Sequence, residues 1–233
     1  SRNRVLLFGG IAGSSRLNDT WEWDGTQWRS ITMVGTLPAV RSEARLAWDP
    51  AQRRVVLFGG VGSGGVRLRD TWVLSGTVWS QLGASAAVSP ATGGGSTMVL
   101  DSARDRLMLI GGSVAPWTDI CFTSAAAPGT WANVEFGPAA RTGAGVAYDS
   151  HRRRAVLFGG LSTSRLGDTW EFDGANWERS AATGPLPRSE HAMAYDPVRR
   201  QVVLFGGNTG PGAVSGETWT WDGQTWTLAS TSG

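Results

Sequence analysis

One short segment occurs five times in this chain, and that repetition restricts the possible fold more than any other feature. In each copy an apolar run of strand length is followed by two glycines, and neighbouring copies lie about fifty residues apart. The copies occupy residues 5–10, 55–60, 107–112, 155–160 and 202–207. An apolar run of this length followed by Gly-Gly predicts a buried strand that stops at the glycines.

Three further patterns accompany these copies. A segment that opens with an acidic residue and then alternates large and polar residues lies at residues 19–23, 70–74, 119–122, 168–172 and 217–221. A segment with a lone tryptophan follows, at Trp28, Trp79, Trp131, Trp177 and Trp226. A segment that ends in aspartate precedes four of the glycine pairs, at residues 41–49, 94–101, 141–149 and 188–196. The alternation, with turns such as Asp24-Gly25, predicts antiparallel strands joined by hairpins.

We call the four strands a, b, c and d: a ends in aspartate, b carries Gly-Gly, c opens with the acidic residue and d carries the lone tryptophan. One such sheet cannot bury both of its faces, whereas five sheets arranged radially bury each face against a neighbour. The sequence therefore predicts an all-β fold, a single five-bladed propeller domain over residues 1–233 with four antiparallel strands in each blade. The blades are expected at approximately residues 1–35, 36–85, 86–136, 137–182 and 183–233.

The paired glycines, the aromatic strand and the lone tryptophan together resemble the kelch repeat, and the resemblance covers nearly all of the chain. Bacterial kelch-like propellers and the central domain of galactose oxidase are similar in this respect. The resemblance implies that strand a lines a central channel and that strand d lies outermost. The third repeat departs most, because it has Ile110 before its glycines, Cys121 where the other copies have tryptophan, and no arginine at the start of strand a.

Strand a is recognisable four times, whereas strands b, c and d each occur five times. We expect a closed five-bladed ring whose first blade lacks its innermost strand, because blade faces need mutual burial. Residues near Trp21 and Trp28 would then pack against the fifth blade near Trp219 and Trp226. Two alternatives are that the tail near Ser230 supplies a substitute strand, or that the missing strand belongs to a longer natural protein.

Composition excludes several kinds of function. All 21 basic residues are arginine and the net charge is only +2, so neither a Schiff-base lysine nor a basic nucleic-acid-binding face is indicated. Cys121 is the sole cysteine, which excludes an internal disulfide and a cysteine-based metal cluster. No apolar run of about 18 residues marks a membrane span. Arginine, alanine and glycine usage indicates a high-GC bacterial source, and a secreted or cell-surface protein is favoured.

Neither a metal nor another cofactor is expected. The two histidines lie in separate repeats, His151 in an a–b turn beside three arginines and His191 within strand a. Some kelch-like propellers are copper oxidases, whose site requires a Tyr–Cys cross-link with further tyrosine and histidine ligands. With only Tyr148, Tyr195 and a lone Cys121, that class is disfavoured.

Strand a also supplies the candidate ligand-binding residues. They are Arg41, Arg141, Arg188, Glu43, Glu190 and His191. The three arginines open their strands, and the glutamates follow two of them by two residues. Strand direction alternates in a meander, so the d–a and b–c loops emerge on one face, which we call the mouth face. Two interpretations stay open: a salt-bridged inner lining that fixes the blades to one another, or a site for carboxylates, phosphates or an acidic partner loop.

A non-enzymatic recognition module is the best functional interpretation, because a propeller carries variable loops on a rigid scaffold. Its ligand is expected to be a protein, or a small anionic or carbohydrate molecule, bound at the mouth face. The loops of that face are residues 32–40, 83–93, 136–140 and 181–187 (d–a) and residues 11–18, 61–69, 113–118, 161–167 and 208–216 (b–c). The alternatives are a carbohydrate-active isomerase or hydrolase using Glu43, Glu190 and arginine, and an architectural propeller within a longer chain.

Overall fold

The structure is built from antiparallel β-sheets. The computed structural model describes residues 4–82, 95–112, 119–123, 130–134 and 137–231, with backbone alone for the two shortest of these segments. Five sheets, blades 1 to 5, follow one another along the described chain. The only helix in this part is a short 3-10 turn at Ser63–Gly65, and no helix in it is long and apolar enough to cross a membrane.

The strands of each blade are as follows. Blade 1 contains β1 (Val5–Ala12), β2 (Ser15–Trp23) and β3 (Trp28–Ser30). Blade 2 contains β4 (Arg45–Asp49), β5 (Arg54–Val61), β6 (Arg67–Ser75) and β7 (Val78–Leu82). Blade 3 contains β8 (Thr97–Asp101), β9 (Arg106–Ile110), β10 (Asp119–Thr123) and β11 (Thr130–Val134). Blade 4 contains β12 (Gly145–Asp149), β13 (Arg154–Leu161), β14 (Arg165–Phe172) and β15 (Trp177–Ser180). Blade 5 contains β16 (Ala192–Asp196), β17 (Gln201–Phe205), a small hairpin of β18 (Asn208–Gly210) and β19 (Ala213–Val214), and then β20 (Thr218–Trp221) and β21 (Trp226–Ser230).

Four repeats form complete four-stranded blades, and the first does not. Blade 1 has three strands in the order β1-β2-β3, which correspond to strands b, c and d. Among the described residues the first blade has no strand a, and four of the five blades are complete. Within the described residues β1 pairs only with β2. The strands that open the other blades, β4, β8, β12 and β16, lie side by side at the centre.

The paired glycines do not end strand b in blades 1, 2 and 4, contrary to the prediction. In blade 1 the register shifts between Phe8 and Gly10, and the strand continues to Ala12. Gly9, at this shift, has a φ of 62°, and a Cβ atom there would lie 2.6 Å from the carbonyl oxygen of Arg41. Glycine is therefore required for a β-bulge that brings strand b close to the next blade.

The third repeat differs from its predicted alignment. In blade 4, Trp170 pairs with Leu157 of strand b. At the equivalent place in blade 3, Ile120 rather than Cys121 pairs with Leu109. The prediction that Cys121 replaces the tryptophan is therefore wrong by one residue. Counting from the acidic residue that opens strand c aligns Cys121 with the tryptophans of the other blades. The pairing with strand b, however, determines which residues occupy equivalent positions in two blades.

Apolar side chains of neighbouring blades interlock between the sheets. In β5, Val56 and Phe58 pack against blade 3, while the intervening Leu57 packs against blade 1. This alternation follows from the two-residue period of a strand. Four such clusters join blades 1 and 2, 2 and 3, 3 and 4, and 4 and 5. Each inner sheet is thus buried on both faces.

No apolar cluster of the described residues joins blade 5 to blade 1, which contradicts the expected closed ring. Phe205 in blade 5 is 47% exposed, whereas Phe158, at the same position in blade 4, packs edge-on against Trp226 with ring centroids 5.2 Å apart. On the facing side of blade 1, Val5 and Leu7 are exposed as well. Within the described residues, no apolar packing therefore closes the ring between blades 5 and 1.

The open side also changes the environment of one tryptophan. Trp79, Trp177 and Trp226, the lone tryptophans of strand d in blades 2, 4 and 5, are buried between blades. Trp28 in blade 1 is 44% exposed, so the prediction that it packs against the fifth blade is wrong: no sheet of the described residues covers that face. The side chain of Trp131 lies outside the described residues.

Candidate functional site at the mouth face

Each of the three predicted arginines is buried and binds within its own blade. The guanidinium of Arg41 donates to the two carboxylate oxygens of Asp70 at 2.7 and 2.8 Å. It also donates to the carbonyl oxygens of Gly59 at 2.8 Å and Ala39 at 3.0 Å. Arg41 has no exposed surface. These bonds use four of the five N–H donors of the guanidinium.

The arrangement recurs in blades 4 and 5. Arg141 donates to Asp168 at 2.6 and 3.0 Å and to the Gly159 carbonyl oxygen at 3.0 Å. Arg188 donates to Glu217 at 2.7 Å. Paired N–H···O bonds between a guanidinium and a carboxylate are strong and directional. Arg41, Arg141 and Arg188 therefore pair with acidic side chains of blades 2, 4 and 5. Their role in ligand binding stays a prediction.

The acidic residue that opens strand c is the partner in each pair. The Asp70 carboxylate also accepts a hydrogen bond from the indole Nε1 of Trp72, two residues later, at 2.6 Å. Burial by itself would raise the pKa of Asp70, but the bonds from Arg41 and Trp72 outweigh burial and lower that pKa below its usual value. The pKa of Asp168 is lowered for the same reasons.

The main chain of each arginine binds the preceding blade. The amide of Arg41 donates to the Leu17 carbonyl oxygen at 2.9 Å, and the Arg41 carbonyl oxygen accepts from the Gly10 amide at 2.9 Å. Arg188 makes the corresponding bonds with blade 4. One residue thus connects two blades, through its backbone to the preceding blade and through its side chain to its own.

Glu43 and Glu190 are exposed, and both have a left-handed backbone conformation, with φ of 57° and 61°. In blades 3 and 4 the same position holds glycine, Gly95 and Gly143, also with positive φ. The Glu190 amide donates to the Gly143 carbonyl oxygen at 2.7 Å, and the Gly143 amide donates to that of Gly95 at 3.2 Å. The inner strands thus begin with a row of left-handed residues, two of which present carboxylates at the mouth face.

His191 is buried between blades 4 and 5. Its ring meets the ring of Phe158 edge-to-face, with centroids 5.7 Å apart. The Gly145 amide donates to Nε2 at 3.2 Å, which requires that this nitrogen carry no proton. Burial, together with the nearby charge of Arg188, lowers the pKa of His191 from its ordinary 6.5 to about 4.

The described loops of the mouth face differ in length. Blade 1 joins β1 to β2 through the two residues Gly13 and Ser14, whereas blade 5 inserts β18 and β19 between β17 and β20. Arg67 and Arg69 are exposed in the first residues of β6, next to the b–c loop of blade 2. The predicted loop segments at residues 83–93 and 113–118, and residue 136, lie outside the described residues.

Sequence reasoning missed the acidic partners of the arginines, although a signal for them exists. Each arginine precedes its carboxylate by a similar interval, 29, 27 and 29 residues in blades 2, 4 and 5. Within the ranges that the structure describes, no group of three or more histidine, cysteine, aspartate or glutamate side chains could hold a metal ion.

Comparisons with known proteins support the predicted repeat. No family model matches the chain. The solved structure of YjhT matches 98% of this chain and 81% of its own, with a TM-score of 0.75 and 15% identity. An F-box/kelch-repeat protein of Arabidopsis thaliana is 42% identical over 124 residues, which cover 46% of this chain and 25% of that protein. The chain is a kelch-type β-propeller.

A second relative of this kelch-type propeller is tRNA wybutosine-synthesizing protein 4 of Aspergillus fumigatus, 33% identical over 72 residues, or 30% of this chain and 7% of that protein. The propeller therefore spans a quarter or less of the length of these two curated relatives. Because they come from a plant and a fungus, the bacterial source stays a prediction.

Proposed function

We propose that this kelch-type propeller is a non-enzymatic recognition module whose mouth face binds a partner protein. The observation that carries the proposal is the pair of exposed glutamates, Glu43 and Glu190, held in a left-handed conformation on that face. Similarity to an F-box/kelch-repeat protein supports an interaction role at a coarser level.

The left-handed conformation of Glu43 and Glu190 lowers the free energy of unfolding. It disfavours residues other than glycine by roughly 1–2 kcal/mol. Blades 3 and 4 avoid this cost with Gly95 and Gly143, so the fold itself does not require a carboxylate at the position. Carboxylates kept at this position of the loop-bearing mouth face, despite that cost, support a role in binding.

The charges of the mouth face favour a protein as the ligand. Glu43 and Glu190 are exposed near the inner strands, and Arg67 and Arg69 are exposed at the start of β6. A surface with both signs of charge complements a protein partner better than a small anion, because opposite patches can be matched over a wide contact. The buried arginines keep the loops on a rigid support.

A carbohydrate-active enzyme is the alternative. It would use Glu43 and Glu190 as acid and base and arginines to hold the substrate. The two glutamates belong to blades 2 and 5, and three of the available arginines are engaged in buried ion pairs. These features favour recognition over catalysis.

The test replaces both glutamates by glycine. The Glu43→Gly/Glu190→Gly variant removes the carboxylates and relieves the left-handed strain, so its unfolding temperature should equal or exceed that of the wild type. Proteins captured from an extract of the source cells by the immobilised wild type are then titrated against both forms. We expect the double variant to bind the partner about tenfold more weakly or worse.

Arg200→Gly is the matched control. Arg200 is exposed and left-handed, with φ of 57°, but it lies in the a–b turn at the opposite end of the strands. The Arg200→Gly variant should gain stability in the same way and bind each captured protein with wild-type affinity. Equal affinity of the wild type and the double variant for every captured protein would refute the proposal. Capture of no protein would favour the architectural role, and turnover of a carbohydrate that the double variant loses would favour the enzyme.

A further inference from the structure

We propose that the face opposite the mouth face is a docking surface for a membrane that carries anionic lipids. This face is formed by the four described a–b turns with their flanking residues, 49–54, 101–106, 149–154 and 196–201, and we call it the turn face. Both its residues and its ligand differ from those of the mouth face, so the inference goes beyond the proposed function. Four observations support it.

The first observation is an arginine that recurs at one position of the turns. Counted from the aspartate that ends strand a, the fifth residue is Arg53 in blade 2, Arg153 in blade 4 and Arg200 in blade 5. All three have a left-handed backbone conformation, with φ of 52°, 57° and 57°. Glycine, asparagine and aspartate adopt this conformation more readily than arginine does. The geometry of the turn therefore does not select arginine.

The second observation is that these three charges are not neutralised. The three arginines are exposed, and within the described residues they form neither an ion pair nor a hydrogen bond. The aspartates of the turns bind other arginines instead, Asp149 with Arg152 at 2.7 Å and Asp196 with Arg199 at 2.9 Å. The fifth position is also exposed in blades 3 and 4, which have a blade on either side, so its exposure is a property of the turn itself.

The third observation is an exposed valine beside two arginines. Val198 is 87% exposed and directly precedes Arg199 and Arg200. The Asp196 carboxylate accepts the amides of Val198 and Arg199 at 2.9 and 3.0 Å, which fixes this turn. An aliphatic side chain among arginines suits the surface of a membrane, because it enters the acyl boundary while the arginines meet lipid phosphates.

The fourth observation is the distribution of the charges. The three unpaired arginines belong to three separate blades, so they form a wide surface rather than one pocket. A small anion would contact one of them, whereas a membrane presents many negative headgroups in one plane and can meet all three. The exposed valine favours lipid over other extended anions such as a nucleic acid.

Blade 3 is the exception, because its fifth position holds Asp105. This aspartate is exposed and left-handed as well, with φ of 48°. The same turn geometry thus accepts a residue of either charge. The charge of the turn face can therefore be lowered at the arginines and raised at Asp105 without a change in the backbone.

Cosedimentation with lipid vesicles tests the proposal. The 233-residue protein is mixed with phosphatidylcholine vesicles that contain either no phosphatidylserine or about 30% of it. We expect saturable binding to the anionic vesicles alone, which weakens as salt is added. Arg53→Gly/Arg153→Gly/Arg200→Gly should bind about 100-fold more weakly, or about fivefold for each arginine. Its unfolding temperature should equal or exceed that of the wild type, since glycine suits the left-handed conformation.

Single changes provide the matched controls. Arg153→Gly should weaken binding about fivefold. Arg179→Gln removes an exposed arginine of the same blade, on the outer strand β15, and should bind as the wild type does. Asp105→Arg should strengthen binding about fivefold or more, because it replaces the one negative charge at the fifth position. Val198→Ser should weaken it several-fold.

The proposal is overturned if no saturable binding occurs, or if vesicles with and without phosphatidylserine bind equally. Wild-type affinity of the triple variant, or of Asp105→Arg, would overturn it as well. Binding of a single-stranded DNA oligonucleotide without binding of anionic vesicles would make a nucleic acid the occupant instead. The mouth-face proposal is judged separately, because it is measured with captured proteins, whose affinity Arg200→Gly should leave unchanged.

Discussion

Among single residues, His191 links the pH to the stability of the fold. Its pKa of about 4 in the folded protein lies below the ordinary value of 6.5, so the unfolded chain binds a proton more readily. The contribution of the neutral ring to stability is therefore complete above pH 6.5 and is lost as the pH falls toward 4. It amounts to about 3 kcal/mol in total.

The variant His191→Gln should lack this dependence. Urea denaturation at pH 7 and pH 4.5 should show that the stability advantage of the wild type over the variant shrinks at the lower pH. At pH 4.5 the histidine of the unfolded wild type is largely protonated and must lose its proton to be buried on folding, whereas glutamine carries no such proton. His151→Gln, at an exposed histidine in an a–b turn, should retain the wild-type difference between the two pH values. Parallel profiles for wild type and His191→Gln would contradict the buried neutral ring.

Trp177 and Trp28 occupy the same repeat position in different surroundings. Trp177 is buried and packs against Phe172 with ring centroids 5.2 Å apart. Trp177→Ala should lower the free energy of unfolding by about 3–5 kcal/mol, whereas Trp28→Ala should cost no more than about 1 kcal/mol. Equilibrium denaturation of the two variants measures the difference. Equal losses would mean that another sheet covers Trp28 in solution.

For the strands, prediction from sequence worked where the signal is local. Alternating residues and the lone tryptophan predicted strands c and d because a strand exposes its faces with a period of two. The bulge at Gly9 was missed, since Gly-Gly fits a strand end and a bulge equally well until the partner strand is known. The pairing of Arg41 with Asp70 was missed for a similar reason: residues 29 positions apart meet only when the register of three strands is fixed.

Arg141 tests whether these ion pairs hold the strands of a blade together. Arg141→Ala leaves the Asp168 carboxylate largely buried without its cation, which should cost about 3–5 kcal/mol in the free energy of unfolding. Arg199→Ala removes an exposed arginine from its pair with Asp196 and should change stability little. Chemical denaturation compares the two. A small effect at Arg141 would favour the predicted ligand-binding role of this arginine over a structural one.

For the whole molecule, the sequence predicted radially packed sheets but not an open ring. Whether the first and last sheets meet depends on the angle between successive blades, which many side chains set together at each interface. No short segment encodes that angle. Asp19 likewise resembles Asp168 in sequence, and only the assembled sheets show that, among the described residues, Asp168 pairs with an arginine and the Oδ1 of Asp19 does not.

Each apolar cluster joins two blades that are consecutive in the chain. Arg41, Arg141 and Arg188 also join consecutive blades. Within the described residues, the blades are therefore coupled in series, and no apolar cluster connects blade 5 back to blade 1 to share an applied load. Tension applied to the two termini acts first on blades 1 and 5, each of which is supported on one face. Separation of one pair of blades leaves the interface between the next pair intact. The protein should therefore lengthen in separate steps, each releasing roughly fifty residues, or roughly 160 Å of contour length.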